Sequence, residues 1–227
     1  MQSFSSEKCV SVGSRDRSAR VWKILDGTQL VYPLPMGMKS IRSSVIAQSD
    51  APPAYAGSLD CVAVIDEQHF VTGDDNGDIM LWALNKKKPQ YVARLAHGVD
   101  ESAVMTQYSS DSGMERTWLP PQPRWITCLA SIPYTDVLCT GSWDGKLGLW
   151  KVSDDLKRIE LMKYLDTGVR GVINGITINE LGKRGADGVQ IVLAIGAECR
   201  LGRWRKVKGG KNCAMVLNLE HSSKRKE

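Results

Sequence analysis

Tryptophan recurs at the end of one short pattern along this chain, and that recurrence restricts the fold more than any other feature. Three segments align without gaps: Val12–Trp22, Thr72–Trp82 and Thr140–Trp150. A fourth, Ile195–Trp204, is one residue short. Gly13, Gly73 and Gly141 stand nine positions before their tryptophans, and Gly196 stands eight before Trp204. Asp16, Asn76, Asp144 and Glu198 stand six positions before. Self-similarity of this kind marks an array of equivalent structural units.

Each part of the pattern has a physical role. Apolar runs such as Val137–Thr140 read as strands. A glycine and short polar residues then turn the chain. Asn76–Gly77 and Asp144–Gly145 are dipeptides that tolerate positive φ in tight hairpins. An alternating strand follows and ends in the indole, which is expected to pack between neighbouring sheets. Asp16–Arg17 and Glu198–Cys199 lack the glycine, so wider or strained turns are expected there. Strands are expected near 8–13, 18–24 and 29–32, then near 59–65, 69–73, 78–84 and 90–95. The third unit places them near 124–131, 136–141, 146–152 and 158–165, the fourth near 171–179, 189–196, 200–207 and 212–219. No long helix is expected.

This pattern resembles the WD40-repeat family. The resemblance implies an all-β β-propeller with four-stranded blades. About four blades are expected, near 1–32, 58–95, 124–165 and 171–219, as a partial propeller over residues 1–219. In the family a turn Asp, a Ser or Thr, the Trp and an upstream His form a buried hydrogen-bonded network. Only the third unit has a full set: His97, Thr140 or Ser142, Asp144 and Trp150. Spacings of 60, 68 and 54 residues separate the four tryptophans, against roughly 40–45 for a bare repeat. The surplus falls in two insertions, 33–57 and 98–123, rich in Pro, Ser and Gly and expected on one rim as padding or as partner-docking arms. The first blade is expected to lack a complete first strand, with Met1 just before its second. On that reading the chain is the C-terminal part of a seven-bladed ring, and a self-closed four-bladed ring is the alternative.

The residue inventory argues against catalysis. Only His69, His97 and His221 are present, and no nucleophile elbow, phosphate loop or zinc-protease motif occurs. Asp74, Asp75 and Asp78 suggest a cation site at most, and read better as a solvated acidic turn. No metal or cofactor is expected. The six cysteines, none in a C-x-x-C arrangement, read as reduced and buried. No apolar run reaches the roughly 20 residues that span a bilayer, and Met1–Lys8 lacks the basic start and apolar core of a secretory signal. Neither a membrane nor a small-molecule substrate is expected as a partner.

The net charge of +5 permits nucleic-acid contact without demanding it. Basic residues cluster in three places. Lys86, Lys87 and Lys88 form a run, and Arg200, Arg203, Arg205, Lys206, Lys208 and Lys211 crowd the last hairpin. Lys224–Lys226 lies in the tail, 220–227. On an alternating strand Arg203 and Arg205 share a face, with Trp204 on the other. Candidate phosphate contacts are therefore Lys86, Lys87, Lys88, Arg200, Arg203, Arg205, Lys206 and Lys208; solvated charge is the plainer reading of each cluster.

Five segments narrow the resemblance: Gly196–Trp204, Gly13–Ile24, Ser58–Cys61, Leu81–Pro89 and Ala96–Gly98. In order along the chain they resemble the WD-repeat family specific to the U3 small nucleolar ribonucleoprotein. That resemblance implies a non-catalytic, nucleolar scaffold that binds the box B/C region of U3 small nucleolar RNA beside a kink-turn-binding protein. It further implies work with other processome proteins in pre-rRNA cleavages toward 18S rRNA. The alternative is a general WD40 protein–protein adaptor, such as a ubiquitin-ligase substrate receptor. Those receptors often carry Arg two residues after the repeat Trp, where this chain has Ile24, Leu84, Val152 and Lys206.

Overall fold

The computed structural model describes residues 1–13, 16–34, 58–100, 104–106, 116–118, 122–200 and 202–220. The first sheet is β1 (Gln2–Ser3), β2 (Lys8–Gly13), β3 (Ser18–Lys23) and β4 (Thr28–Pro33), antiparallel in that order. The second is β5 (Leu59–Val64), β6 (His69–Asp74), β7 (Ile79–Ala83) and β8 (Tyr91–Ala93). Two short ribbons follow, pairing β9 (Val99–Asp100) with β12 (Gln122–Pro123), and β10 (Val104–Thr106) with β11 (Arg116–Trp118). The third sheet is β13 (Cys128–Ser131), β14 (Val137–Gly141), β15 (Lys146–Val152) and β16 (Ile159–Asp166). Last come β17 (Val172–Leu181), β18 (Gly188–Gly196), β19 (Glu198–Cys199), β20 (Gly202–Lys206) and β21 (Cys213–Leu219). One 3-10 turn, Lys183–Gly185, is the helical structure among the described residues.

Alternating side chains explain why the sheets stack face to face. From β5, Val62 and Val64 point to the first sheet, while Cys61 and Ala63 point to the third. On β7, Met80 and Trp82 face one way and Ile79 and Leu81 the other. All five residues of β7 are buried, as a strand covered on both faces requires. Three apolar layers result, one between each pair of successive sheets. The layer between the first two sheets is aromatic: Phe70 stacks on Trp82 at 5.9 Å, and Tyr32 meets both edge-on. Both phenylalanines of the chain, Phe4 and Phe70, lie in it.

Glycine is required where the layers approach closest. A Cβ on Gly73 would lie 2.5 Å from the Ile126 side chain, and one on Gly141 would lie 2.8 Å from that of Ile173. Cys61 and Cys128 fill the matching positions, their thiols directed at the carbonyls of Ile126 and Ile173 at 3.4 and 3.0 Å.

The first strand of the first sheet is the two-residue β1, with Gln2 opposite Val10. One expectation is corrected. In the fourth unit, β18 pairs with β17 and β21, while the strand bearing Trp204 forms a separate ribbon with β19. The cause is apolar content. β21 sets Met215 and Leu217 opposite Leu193 and Ile191, extending the core, whereas β20 has one large apolar residue among Gly202, Arg203, Arg205 and Lys206. Residues 197–212 are thus an elaborated turn between two strands of the fourth sheet. The turn lacking glycine in the first unit is the strained rather than the wider of the two expected forms, with Arg17 at φ 53°.

Candidate nucleic-acid interface

The antiparallel order divides the loops between two rims. The turns β2–β3, β6–β7 and β14–β15 share one rim with the connections that enter β5, β13 and β17. Backbone hydrogen bonds stitch this rim from sheet to sheet: Ala96 N–H to Gly77 O (2.7 Å), Ile126 N–H to Asp74 O (3.1 Å) and Ile173 N–H to Ser142 O (2.9 Å). The β19–β20 ribbon belongs to the same rim, since it interrupts β18 and β21, and Lys211 N–H bonds Arg170 O at 3.0 Å. The loops β3–β4, β7–β8 and β15–β16 lie on the opposite rim.

This division separates the predicted basic clusters. Lys86, Lys87 and Lys88 sit in the β7–β8 loop on the opposite rim, whereas Arg200, Lys206 and Lys208 belong to the ribbon rim. The structure does not bring the two sets together. Lys87 is engaged with the first sheet, its Nζ 3.1 Å from Val31 O and 5.0 Å from the centre of the Tyr32 ring. Lys86 and Lys88 are exposed. Arg200 reaches back from the ribbon, its Nη2 3.3 Å from Thr127 O, while its backbone N–H bonds Asn174 Oδ1 at 2.8 Å. Lys206 faces Glu198 at 3.7 Å with most of its side chain in solvent, and Lys208 is exposed. Arg203 and Arg205 lie on β20, and their side chains fall outside the described residues, as do the tail 221–227 and most of both insertions.

The predicted structural set converges in the third sheet. Trp150 Nε1–H donates to Thr140 Oγ1 at 2.8 Å. The Thr140 hydroxyl donates to His97 Nε2 at 2.9 Å, and His97 Nδ1–H donates to Asp144 Oδ2 at 3.0 Å. The donor order assigns the tautomer. Asp144 Oδ1 accepts from Lys146 N–H at 3.0 Å, closing the turn. Thr140, not Ser142, is the hydroxyl that joins. The same indole-to-hydroxyl bond recurs as Trp82 to Thr72 and Trp22 to Ser11, both 2.9 Å. His97 connects two sheets, because it sits in the connection between the second and third.

Several rim residues carried no sequence signal. Arg124 donates to Asp100 Oδ1 at 2.7 Å and to the His97 carbonyl at 3.0 Å. Trp143 donates to Asp100 Oδ2 at 2.9 Å and lies 6.0 Å from the Trp125 ring. Trp143, Trp125, Val172, Cys199 and Val207 form a small apolar cluster that seats the ribbon on the rim. Two tryptophans at unrelated spacings, beside the Asp144–Gly145 turn and after the second insertion, were the available hint.

The acidic turn of the second sheet is buried, not solvated. Asp74 and Asp78 are 1% and 2% exposed, and Asp75 and Asn76 are also buried. Asp74 Oδ1 accepts from the backbone N–H of Asn76 and Asp78, and Asp78 accepts from Leu95 N–H and Arg94. Burial, reinforced by the Asp78 charge, pushes the Asp74 carboxyl well above the usual range. Among the described residues no group of three or more His, Cys, Asp or Glu side chains is placed to hold a metal ion. All six cysteines are free; Cys61, Cys128, Cys139 and Cys199 are buried, but Cys9 is half-buried and Cys213 exposed, against expectation. Burial pushes the Cys128 and Cys139 thiols up to about 12, which removes them as nucleophiles at neutral pH.

The comparisons with known proteins agree with this architecture. The repeat family described as WD domain, G-beta repeat matches residues 116–151. An uncharacterised WD repeat-containing protein of Schizosaccharomyces pombe is 40% identical over 96% of this chain and 40% of its own. Ribosomal RNA-processing protein 9 of Saccharomyces cerevisiae is 37% identical over 93% of this chain and 41% of its own. The chain therefore spans about two fifths of the length of these curated relatives. A solved structure of U3-55K superposes with a TM-score of 0.69 at 30% identity, covering 95% of this chain and 53% of that one. Crystallised RRP9 WD40 repeats give the same score and identity. The fold class is thus a WD40 β-propeller array, and the chain belongs to the WD40-repeat family, with Ribosomal RNA-processing protein 9 and U3-55K among the proteins it is similar to.

Proposed function

We propose that this chain is part of a U3 small nucleolar RNA-binding scaffold, acting in the nucleolus in pre-rRNA processing toward 18S rRNA. Its partners are the box B/C region of the RNA, a kink-turn-binding protein and other processome subunits. The observation that carries the reading is similarity to Ribosomal RNA-processing protein 9 along 93% of this chain. Human U3 small nucleolar RNA-interacting protein 2, 32% identical over 73% of the chain, supports the same assignment.

The geometry adds a choice of face. Arg170, Arg200, Lys206, Lys208 and Lys211 are all exposed on the ribbon rim, where they present cations to phosphates. The opposite rim mixes Lys86 and Lys88 with Asp66, Glu67, Asp154 and Asp155, which repel a polyanion. We therefore assign phosphate contact to the ribbon rim. The test is retention of U3 RNA by the chain at stepped salt. Lys206→Glu with Lys208→Glu is expected to weaken retention at least tenfold at moderate salt and to flatten its salt dependence. Lys86→Glu with Lys88→Glu is expected to change it less than twofold. The reverse ranking overturns the choice of face, and salt-independent retention overturns phosphate contact.

A further inference from the structure

The ribbon rim holds a cavity of about 350 Å³ between the third and fourth sheets. Its walls come from three places: Trp143, Asp144 and Gly145 of the β14–β15 turn, Asp166 at the end of β16 with Gly168–Gly171 of the connection into β17, and Val207 at the end of the ribbon. Its size is at the low end of small-ligand sites, about 300–1,000 Å³. Trp143 is fixed in the wall by its bond to Asp100 and by Trp125. Gly168 adopts φ +68°, and nothing lies within 4 Å of where its Cβ would be, so the mouth stays open.

The two carboxyl groups lining the cavity differ in what they have left to offer. Asp144 is committed through both oxygens, to His97 and to Lys146 N–H. Asp166 accepts one bond, from Gly168 N–H to Oδ1 at 2.8 Å, and Oδ2 has no partner among the described residues. An exposed carboxylate therefore edges a mixed, largely polar cavity whose apolar surface comes from Trp143, Val169 and Val207. Arg170 lines the same cavity, and Lys206 and Lys208 flank Val207 in the chain.

We propose that this cavity takes one unstacked guanine base of a bound RNA. The inference rests on the RNA-binding reading above. A base needs apolar surface to lie against, which Trp143, Val169 and Val207 supply on part of the wall, and its phosphates need a cation, which Arg170 supplies. Guanine alone among the four bases presents two adjacent donors, N1–H and the 2-amino group, on its Watson–Crick edge. Those donors match the two oxygens of Asp166, since Oδ1 retains a second lone pair. Uracil, cytosine and adenine each set an acceptor beside a donor there, and a carboxylate opposes that acceptor. An arginine side chain also pairs well with a carboxylate, but Arg170 in the same lining disfavours a basic peptide.

The experiment measures binding of the full chain to three labelled RNAs: a uridine hexamer, the same hexamer with one central guanosine, and the version with inosine in its place. Inosine lacks only the 2-amino donor. Guanosine is expected to bind about tenfold more tightly than inosine, with plain uridine weaker still. Asp166→Asn keeps an acceptor for Gly168 N–H, and Asp166 is exposed, so the fold is retained. This variant is expected to bind the uridine hexamer at least as tightly, since a negative charge near the phosphates is removed, and to lose the guanosine-over-inosine preference. Equal binding of all three RNAs overturns the guanine site while leaving the RNA-binding reading standing. Binding of none of them by the folded chain, together with no retention of U3 RNA, overturns both. Displacement of the guanosine hexamer by an arginine-containing peptide, in a manner that Asp166→Asn abolishes, overturns the proposal in favour of a peptide site.

Discussion

Trp22 and Trp82 occupy equivalent places in the first and second sheets, and each indole donates to a hydroxyl on the neighbouring strand at 2.9 Å. Trp82 is fully buried against Phe70 and Tyr32, whereas Trp22 is 37% exposed. The local bond is thus the same in both places, and only the second indole has a sheet stacked over it. The turns differ in parallel. Asp144 shares its Oδ2 with buried His97, while Asp16 shares its Oδ2 with Arg20 in a half-exposed pair at 2.7 Å. The contrast teaches that the repeat pattern builds each hairpin, and that stacking, not the pattern, makes a hairpin part of the core.

Truncating the two indoles tests this most directly. Trp82→Ala is expected to cost about 3–5 kcal/mol in urea unfolding, from lost burial and the cavity left behind. Trp22→Ala is expected to cost about 1 kcal/mol, because solvent already reaches that ring. Equal losses would break the comparison. The turn networks are the next test. His97→Ala leaves the Thr140 O–H donor and one Asp144 oxygen without partners, at about 1–3 kcal/mol for each buried group. Arg20→Ala in the first sheet is expected to cost less than about 1 kcal/mol, as exposed ion pairs do.

The turn glycines extend the comparison to the backbone. Gly145 has φ +72° and its Cβ position lies 2.9 Å from Val169 O, so Gly145→Ala is expected to destabilise by about 2 kcal/mol. Arg17 holds a similar conformation, at φ 53°, without the glycine. Arg17→Gly is expected to stabilise by about 0.5 kcal/mol, the relief of strain exceeding the added freedom of the unfolded chain. A loss on Arg17→Gly would mean that the arginine side chain contributes more than its backbone costs.

Trp204 marks the limit of reading by pattern. Its segment repeats the local signature of the other three, yet β18 pairs with Cys213–Leu219 and leaves Trp204 on a separate ribbon. A signature spanning nine residues cannot say which of two later strands a core strand will choose. The choice depends on cross-strand partners such as Leu193 opposite Met215. The buried acidic turn of Asp74 and Asp78 was misread for a related reason. Its polarity suggested solvent, but the backbone N–H groups of Asn76 and Asp78 bond Asp74 within the turn, and Leu95 N–H bonds Asp78 from the connection that follows the sheet, which permits burial.

Sequence alone determined what depends on neighbours in the chain: hairpins at Asn76–Gly77 and Asp144–Gly145, alternating strands, and an indole at the end of three of them. Those features follow from φ preferences and hydrogen bonds that close within a few residues. Only the tertiary structure decided which rim each basic cluster occupies, that His97 reaches Thr140 and Asp144 across 43 and 47 residues, and that Trp143, Asp166 and Val207 enclose one cavity. These are contacts between sheets, and the stacking that creates them is set by the packing of whole apolar faces rather than by any short run of residues.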